Sequence, residues 1–153
     1  VVPLAKGLGS GVPVGACVVG GRAKGVFKPG NHGSTFGGNP LAMTAVVATI
    51  DTIKEEGLLA NAARVGEVIR GGFPRRDGVV EVRGMGLMIG VELARPCGEL
   101  VRQALEAGLV LNVTADSVIR MLPPLVMNEA EAREALARLL PLLEAFLDKR
   151  AAA

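Results

Sequence analysis

One lysine near the start of the sequence has the surroundings of a reactive residue. Lys6 lies in a glycine-rich stretch, with Gly7 and Gly9 beside it, and a mostly apolar run follows at residues 12–18. An amine held among small residues and against an apolar strand is partly desolvated, which lowers its pKa and frees its lone pair to attack a carbonyl carbon. Such lysines form Schiff bases. The alternative is a solvated loop lysine beside a flexible turn.

Two neighbouring hydroxyl residues, Ser34 and Thr35, lie in a second glycine-rich stretch at residues 30–38. Glycines let the backbone approach a ligand closely, and hydroxyls can donate hydrogen bonds. Asn39 as N-cap and Pro40 as first helical residue predict a helix directly afterwards, so a bound anion would meet the positive end of the helix dipole. Phosphate suits these groups. The alternative is that both hydroxyl residues are ordinary turn residues.

An arginine among apolar residues is the third candidate. Arg120 lies in residues 118–122, which have the pattern of a short strand stopped by Pro123 and Pro124. If it is buried, its guanidinium must be paired or bound to an anion, because an unpaired buried charge is too costly. Its planar fork of donors matches a carboxylate, which suits an amino-acid substrate. The alternative is a structural salt bridge at the strand end.

Three segments together resemble one protein family. Residues 5–9, 12–16 and 32–42 are similar to motifs of the class III pyridoxal-phosphate-dependent aminotransferases, and the similarity extends from residue 2 to about residue 146. The resemblance implies an α/β chain of fold-type I, comprising the end of the large domain and the α+β small C-terminal domain. It also implies pyridoxal 5'-phosphate as the cofactor.

The same resemblance assigns a role to each candidate residue. It implies that Lys6 is the catalytic residue and holds the cofactor covalently. Thr35 would bind the cofactor phosphate and Ser34 would lie near the substrate, their loop reaching the neighbouring site of a homodimer. Arg120 would bind the substrate carboxylate.

The resemblance also implies a reaction, the transfer of the terminal amino group of N-acetylornithine to 2-oxoglutarate in arginine biosynthesis. The alternatives are ornithine, succinylornithine or 4-aminobutyrate as the donor, or an inactive fragment that serves as an interaction module. In this family the residues that stack on the cofactor ring and pair with its nitrogen precede the lysine. Since the chain opens on Val1 and Lys6 follows almost at once, we expect it to be the C-terminal part of a longer enzyme.

Composition narrows the possible partners. Half of the 153 residues are apolar and 21% are charged, and the net charge of +2 is spread without a basic block. With no Trp or Tyr to stack on bases, nucleic acid is an unfavourable partner. The composition predicts a cytoplasmic globular protein. Cys17 and Cys97 lie far apart in a chain whose start shows no signal peptide, which predicts reduced thiols. Two distant cysteines and one histidine do not have ordinary metal-ligand spacing, so no metal site is expected. The apolar residues before Ile50 are too few for a membrane span.

The N-terminal half needs few elements to position Lys6 and the hydroxyl pair. We expect a buried strand at residues 15–20, a largely buried helix at residues 41–56 and an amphipathic helix at residues 58–69. Glycines and a proline at residues 71–78 then predict the domain boundary. The expected domains are residues 1–72, the large-domain part with its connecting helix, and residues 73–153, the small domain.

The second half alternates strands with helices, which predicts a small sheet covered by helices. A hairpin is expected from strands at 79–83 and 87–93, followed by a helix at 99–107, strands at 109–113 and 118–122, and a helix at 129–149. Pro141 is expected to kink or interrupt the last helix. The tail at residues 151–153 is expected to fray.

Overall fold

The computed structural model of the chain describes residues 1–149. The tail expected to fray, residues 151–153, lies outside the described residues. The chain divides into two compact units, an N-terminal unit of Val1–Gly57 and a C-terminal unit that begins at Leu58. Each unit has its own sheet.

The N-terminal unit opens with a two-stranded antiparallel sheet. Strand β1 (Val2–Leu4) pairs with strand β2 (Ala16–Val18), and the 3₁₀ turn Lys6–Gly9 lies between them. The position of the strand predicted at residues 15–20 is therefore confirmed. Its predicted burial is wrong, because all three residues of β2 are exposed and β1 is its partner in a sheet of only two strands.

Helix α1 (Pro40–Glu55) begins as the sequence predicts. The Asn39 side chain accepts a hydrogen bond from the Ala42 backbone N–H at 3.0 Å, and Pro40 occupies the first helical position. The predicted burial of this helix is wrong within the described residues, because Ala42 is its one buried residue and Val47 is 58% exposed. Within the N-terminal unit the helix contacts the Lys6–Gly9 turn, which is too small to cover an apolar helix on all sides.

Over residues 58–149 the C-terminal unit contains three helices and a four-stranded antiparallel sheet of order β3-β4-β6-β5. The elements are α2 (Leu58–Gly71), β3 (Val79–Met85), β4 (Met88–Leu93), α3 (Glu99–Glu106), β5 (Asn112–Thr114), β6 (Val118–Met121) and α4 (Glu129–Asp148). Side chains from all three helices and from the sheet form one core, with Val91 and Ile119 fully buried. The predicted helix-covered sheet and its hairpin are confirmed.

The division between the units falls at Gly57, whereas the expected boundary lay at residues 72–73. The difference arises from α2, which buries Val65 and Ile69 completely in the core of the C-terminal unit. Burying two such side chains stabilises the unit by several kcal/mol, about 1.5–3 for each. The helix therefore belongs with the sheet that follows it.

Two elements differ in detail from the sequence prediction. Strand β5 begins at Asn112 rather than at residue 109, because the Leu109 N–H donates to the Ala104 carbonyl at the end of α3 (2.8 Å). Helix α4 continues through Pro141, so the predicted interruption is wrong. A capping box at Asn128 and Glu131 starts α4, and its apolar stripe is buried in the core.

Candidate functional site

Lys6 opens a tight turn with an unusual backbone conformation. Its φ is +57°, in the left-handed region that non-glycine residues seldom adopt, and Ser10 at the end of the turn has φ +48°. Hydrogen bonds from Leu8 N to Ala5 O (3.2 Å) and from Ser10 N to Gly7 O (3.1 Å) hold this shape. Residues held in such conformations cluster at functional sites, which makes the turn a candidate.

The Lys6 side chain itself is exposed. The sequence predicts partial desolvation against an apolar strand, but β1 and β2 are exposed as well and do not cover the amine. Within the N-terminal unit the expected desolvation is therefore wrong. The primary amine is accessible to a carbonyl compound, which is the geometric requirement for covalent attachment.

The loop that carries Ser34 and Thr35 curves tightly into α1. The Gly37 N–H donates to the Ser34 carbonyl (3.4 Å), and the Asn39 Nδ2 donates to the Phe36 carbonyl (2.9 Å). A Cβ on Gly37 would lie 2.9 Å from the Ser34 Cβ, so only glycine permits this turn without a shift. Both hydroxyl residues are exposed at its tip.

A cleft of about 480 Å³ lies at the start of α1. Ser34, His32, Gly37 and Asn39 line it, whereas Lys6 and Thr35 do not. Hydroxyl groups and the free N–H groups of a helix N-terminus are the donors that proteins use for phosphate, so the donor set fits such a group in kind. The structure thus places one of the two predicted hydroxyl residues directly on the cleft.

Arg120 lies on β6 in the C-terminal unit, opposite Gly90 of β4 and Asn112 of β5. It is exposed, and in the described part of the chain it forms no ion pair. The structural salt bridge considered from the sequence is therefore not formed among these residues. The guanidinium remains available for an external anion.

A cleft of about 540 Å³ surrounds Arg120, and it is lined mainly by apolar side chains: Leu109, Val110, Leu111, Met121, Leu122, Pro123, Pro124 and Met127. Asn112 adds a polar group next to Arg120. The sequence analysis did not single out Asn112, because its place beside Arg120 depends on the pairing of β5 with β6. One cation in an apolar cleft suits a carboxylate attached to an aliphatic body.

A second arginine, Arg83, pairs with the same residue of β4 as Arg120 does, but its charge is balanced by carboxylates. Arg83 of β3 lies opposite Gly90, and its Nη1 donates to Glu81 (2.8 Å) and to Glu92 (2.5 Å). These hydrogen bonds, Glu92 first and then Glu81, raise the pKa of Arg83. Arg120 differs from Arg83 by having no carboxylate partner among residues 1–149.

Residues 1–149 hold no group of three or more His, Cys, Asp or Glu side chains arranged to bind a metal. Cys97 is fully buried, and burial raises the pKa of its thiol, whereas Cys17 is exposed. In the same residues no helix has the length and apolar character that crossing a membrane requires.

Comparison with known proteins gives consistent matches. The family model "Aminotransferase class-III" matches residues 1–143. The chain is 52% identical to acetylornithine aminotransferase 1 of Bordetella bronchiseptica and 51% identical to acetylornithine aminotransferase of Nitrosomonas europaea, in each case over 96% of this chain. These alignments cover 38% of each relative, so the chain spans less than half the length of these relatives.

Solved structures also align with nearly the whole of this chain. The ornithine aminotransferase of Toxoplasma gondii superposes with a TM-score of 0.84 at 34% identity, over 96% of this chain and 37% of that one. The N-acetylornithine aminotransferase of Stenotrophomonas maltophilia superposes with a TM-score of 0.79 at 31% identity, over 96% of this chain and 40% of that one. Sequence and structure therefore agree on the kind of protein matched.

Proposed function

Because this chain belongs to the class III aminotransferases, we propose that it serves the transfer of the terminal amino group of N-acetylornithine to 2-oxoglutarate. The cofactor of this family is pyridoxal phosphate, and the expected α/β fold of fold-type I is confirmed. The observation that carries the choice of donor is the 52% identity to an acetylornithine aminotransferase over nearly the whole chain. The proposal places the protein in the cytoplasm, in arginine biosynthesis.

Ornithine is the second candidate donor. A specific observation favours it, since an ornithine aminotransferase superposes with the higher of the two TM-scores given above. Both donors carry a carboxylate and a terminal amine on an aliphatic chain. The apolar cleft around Arg120 suits either of them.

In this proposal Lys6 holds the cofactor through its amine and Thr35 donates a hydrogen bond to the cofactor phosphate. Ser34 lies near the substrate, and the loop of both residues serves the neighbouring subunit of a homodimer. The exposure of the amine and of both hydroxyls supports these roles. When bound, the cofactor supplies an electron sink for the substrate carbon that bears the amine. Lys6, released as a free amine, moves the proton from that carbon.

Arg120 binds the substrate carboxylate in this proposal. Its guanidinium is exposed at an apolar cleft and forms no ion pair within residues 1–149. A bidentate pair with a carboxylate fixes the orientation of the substrate as well as adding binding energy. The aliphatic part of the substrate would then lie along the apolar wall.

Activity of the protein expressed from its complete reading frame tests the donor. We expect kcat/KM with 2-oxoglutarate as acceptor to be higher for N-acetylornithine than for ornithine, succinylornithine or 4-aminobutyrate. A reversed order would assign the chain to the donor that turns over best. Absence of turnover with all four, in protein that retains its fold by circular dichroism, would favour the non-catalytic interaction module.

Replacement of Thr35 by alanine is expected to weaken cofactor binding by roughly tenfold, because one charge-assisted hydrogen bond is lost. The measurement is the Kd for pyridoxal phosphate from an absorbance titration of the apoprotein. Thr44→Ala is the matched control, since the Thr44 hydroxyl is also exposed but donates to the Pro40 carbonyl within α1 (2.8 Å). Equal Kd values for Thr35→Ala and wild type would show that Thr35 is an ordinary turn residue with no role in cofactor binding.

Replacement of Arg120 by alanine is expected to lower kcat/KM for the amino donor by roughly a hundredfold, since the charge-assisted carboxylate contact is removed. Arg120→Lys is expected to restore only part of the loss, because lysine lacks the planar fork. Arg102→Ala is the control, as Arg102 is 73% exposed on α3 and pairs only with Glu106 among the described residues. Unchanged donor kinetics in Arg120→Ala would make Arg120 a structural residue.

A further inference from the structure

One wall of the Arg120 cleft is an irregular segment. Residues 122–127 connect β6 to α4 and contain Pro123 and Pro124, both of which line the cleft. Proline has no backbone N–H, so Pro123 and Pro124 cannot donate the hydrogen bonds of a strand pair. Inside the segment the Met127 N–H donates to the Pro124 carbonyl (3.0 Å). Its attachment to the rest of the unit must come from other groups.

Asn61 on α2 supplies that attachment. Its Nδ2 donates two hydrogen bonds into the segment, to the Leu125 carbonyl at 2.8 Å and to the Met127 carbonyl at 2.9 Å. Its Oδ1 accepts from Arg64 Nη2 at 2.7 Å. Both donors and the acceptor of one amide are thus used, which fixes its orientation. The side chain bridges residues more than sixty positions apart in the sequence.

The amide is held in turn by an ion pair. Arg64 also donates to Glu129 in the first turn of α4, and this hydrogen bond lowers the pKa of the Glu129 carboxyl. Glu129 follows Asn128, whose side chain caps the same helix. Helix α2, the irregular segment and the start of α4 are therefore joined through one connected set of polar contacts, with Asn61 at its centre.

We propose that Asn61 is a positioning residue for substrate binding. By holding the carbonyls of Leu125 and Met127, it keeps the proline wall of the cleft in place, so that the aliphatic part of the substrate packs while Arg120 binds the carboxylate. If the wall were mobile in the free protein, substrate binding would have to order it. The conformational entropy lost in that ordering would lower the affinity for the substrate. This inference rests on the proposed function of Arg120. It adds a residue that touches neither the substrate nor the cofactor.

Kinetics of Asn61 variants in the protein from the complete reading frame test the proposal. For Asn61→Ala we expect KM for the amino donor to rise roughly tenfold with kcat within about twofold of wild type, since the reacting groups are untouched. Asn61→Asp has the same size but turns a carboxylate towards two carbonyl oxygens, so KM is expected to rise at least as much. Asn61→Gln keeps both donors and is expected to recover most of the loss.

Ile69→Val is the matched control for stability. Ile69 lies on the same helix, is fully buried in the core and is not a partner in any of the Asn61 hydrogen bonds. We expect this variant to lower the melting temperature while leaving KM unchanged. Hydrogen exchange adds a readout independent of turnover, because the backbone N–H groups of Leu125, Val126 and Met127 are expected to exchange faster in Asn61→Ala and not in Ile69→Val.

The outcomes separate this inference from the proposed function. If the wild type turns over the donor and Asn61→Ala keeps the wild-type KM, the positioning role is wrong while the function stands. The same holds if Ile69→Val raises KM as much as Asn61→Ala at an equal loss of melting temperature, because the effect is then one of general stability. If the wild type has no aminotransferase activity, the proposed function fails and the positioning role fails with it.

Discussion

Replacement of Lys6 by alanine is expected to lower turnover by more than about 10⁴-fold, since the proposed function gives its amine both the covalent attachment of the cofactor and the proton transfer. The side chain is exposed on a left-handed turn, and its removal leaves no buried cavity. The folded protein should therefore persist. The measurement is the rate of glutamate formation from 2-oxoglutarate, compared at equal circular dichroism signal.

Borohydride reduction locates the attachment directly. Incubation of the wild-type protein with pyridoxal phosphate, followed by reduction and mass spectrometry, is expected to label Lys6 selectively. Lys24→Ala and Lys28→Ala are matched controls, because both lysines are exposed in the same unit. Each replacement is expected to leave turnover and the labelling of Lys6 unchanged. Normal turnover in Lys6→Ala, or labelling that spares Lys6, would contradict its catalytic role.

Replacement of Gly66 by alanine is expected to destabilise the protein by about 3 kcal/mol, at the upper end of the cost of overpacking. Helix α2 passes so close to the β3–β4 hairpin that a Cβ on Gly66 would lie 2.1 Å from the Gly86 carbonyl oxygen. That oxygen belongs to backbone at a residue with φ +54°, so it cannot move away as the end of a flexible side chain could. Denaturant titration followed by circular dichroism measures the effect.

Gly71→Ala is the matched control for the same helix. A Cβ on Gly71 has no atom within 4 Å, and its φ is not positive. Alanine also favours helix over glycine by up to about 1 kcal/mol, so this variant is expected to be as stable as wild type or slightly more so. If Gly66→Ala is as stable as Gly71→Ala, then α2 and the hairpin do not approach as closely as the structure has them.

Local signals in the sequence were enough for most of the secondary structure. Asn39 and Pro40 predict the start of α1, and Asn128 predicts the start of α4, because capping involves groups only a few residues apart. The hairpin of β3 and β4 follows in the same way from a glycine turn between two apolar runs. The motifs around Lys6 and Ser34 likewise pointed to the family that the comparisons confirm.

Burial was less well predicted, because it depends on what covers an element. The apolar residues of β2 and α1 predict a buried strand and helix, yet within the N-terminal unit both are largely exposed. Pro141 predicts a kink or an interruption, yet α4 is not interrupted, since packing of its buried stripe outweighs one lost hydrogen bond. Propensity and pattern depend on the residues of one segment, whereas burial depends on the other segments that pack against it.

The sequence by itself determined the family, the cofactor class and the residues proposed for the chemistry, Lys6, Ser34, Thr35 and Arg120, because these are carried by residue types at short spacing. Only the tertiary structure decided that α2 belongs to the C-terminal unit and that Arg120 has no carboxylate partner among residues 1–149 while Arg83 has two. It also decided that Asn61 donates to the carbonyls of the segment between β6 and α4. Each of these facts rests on contacts between residues far apart in the chain. Such contacts follow from packing and strand register, which no local pattern specifies.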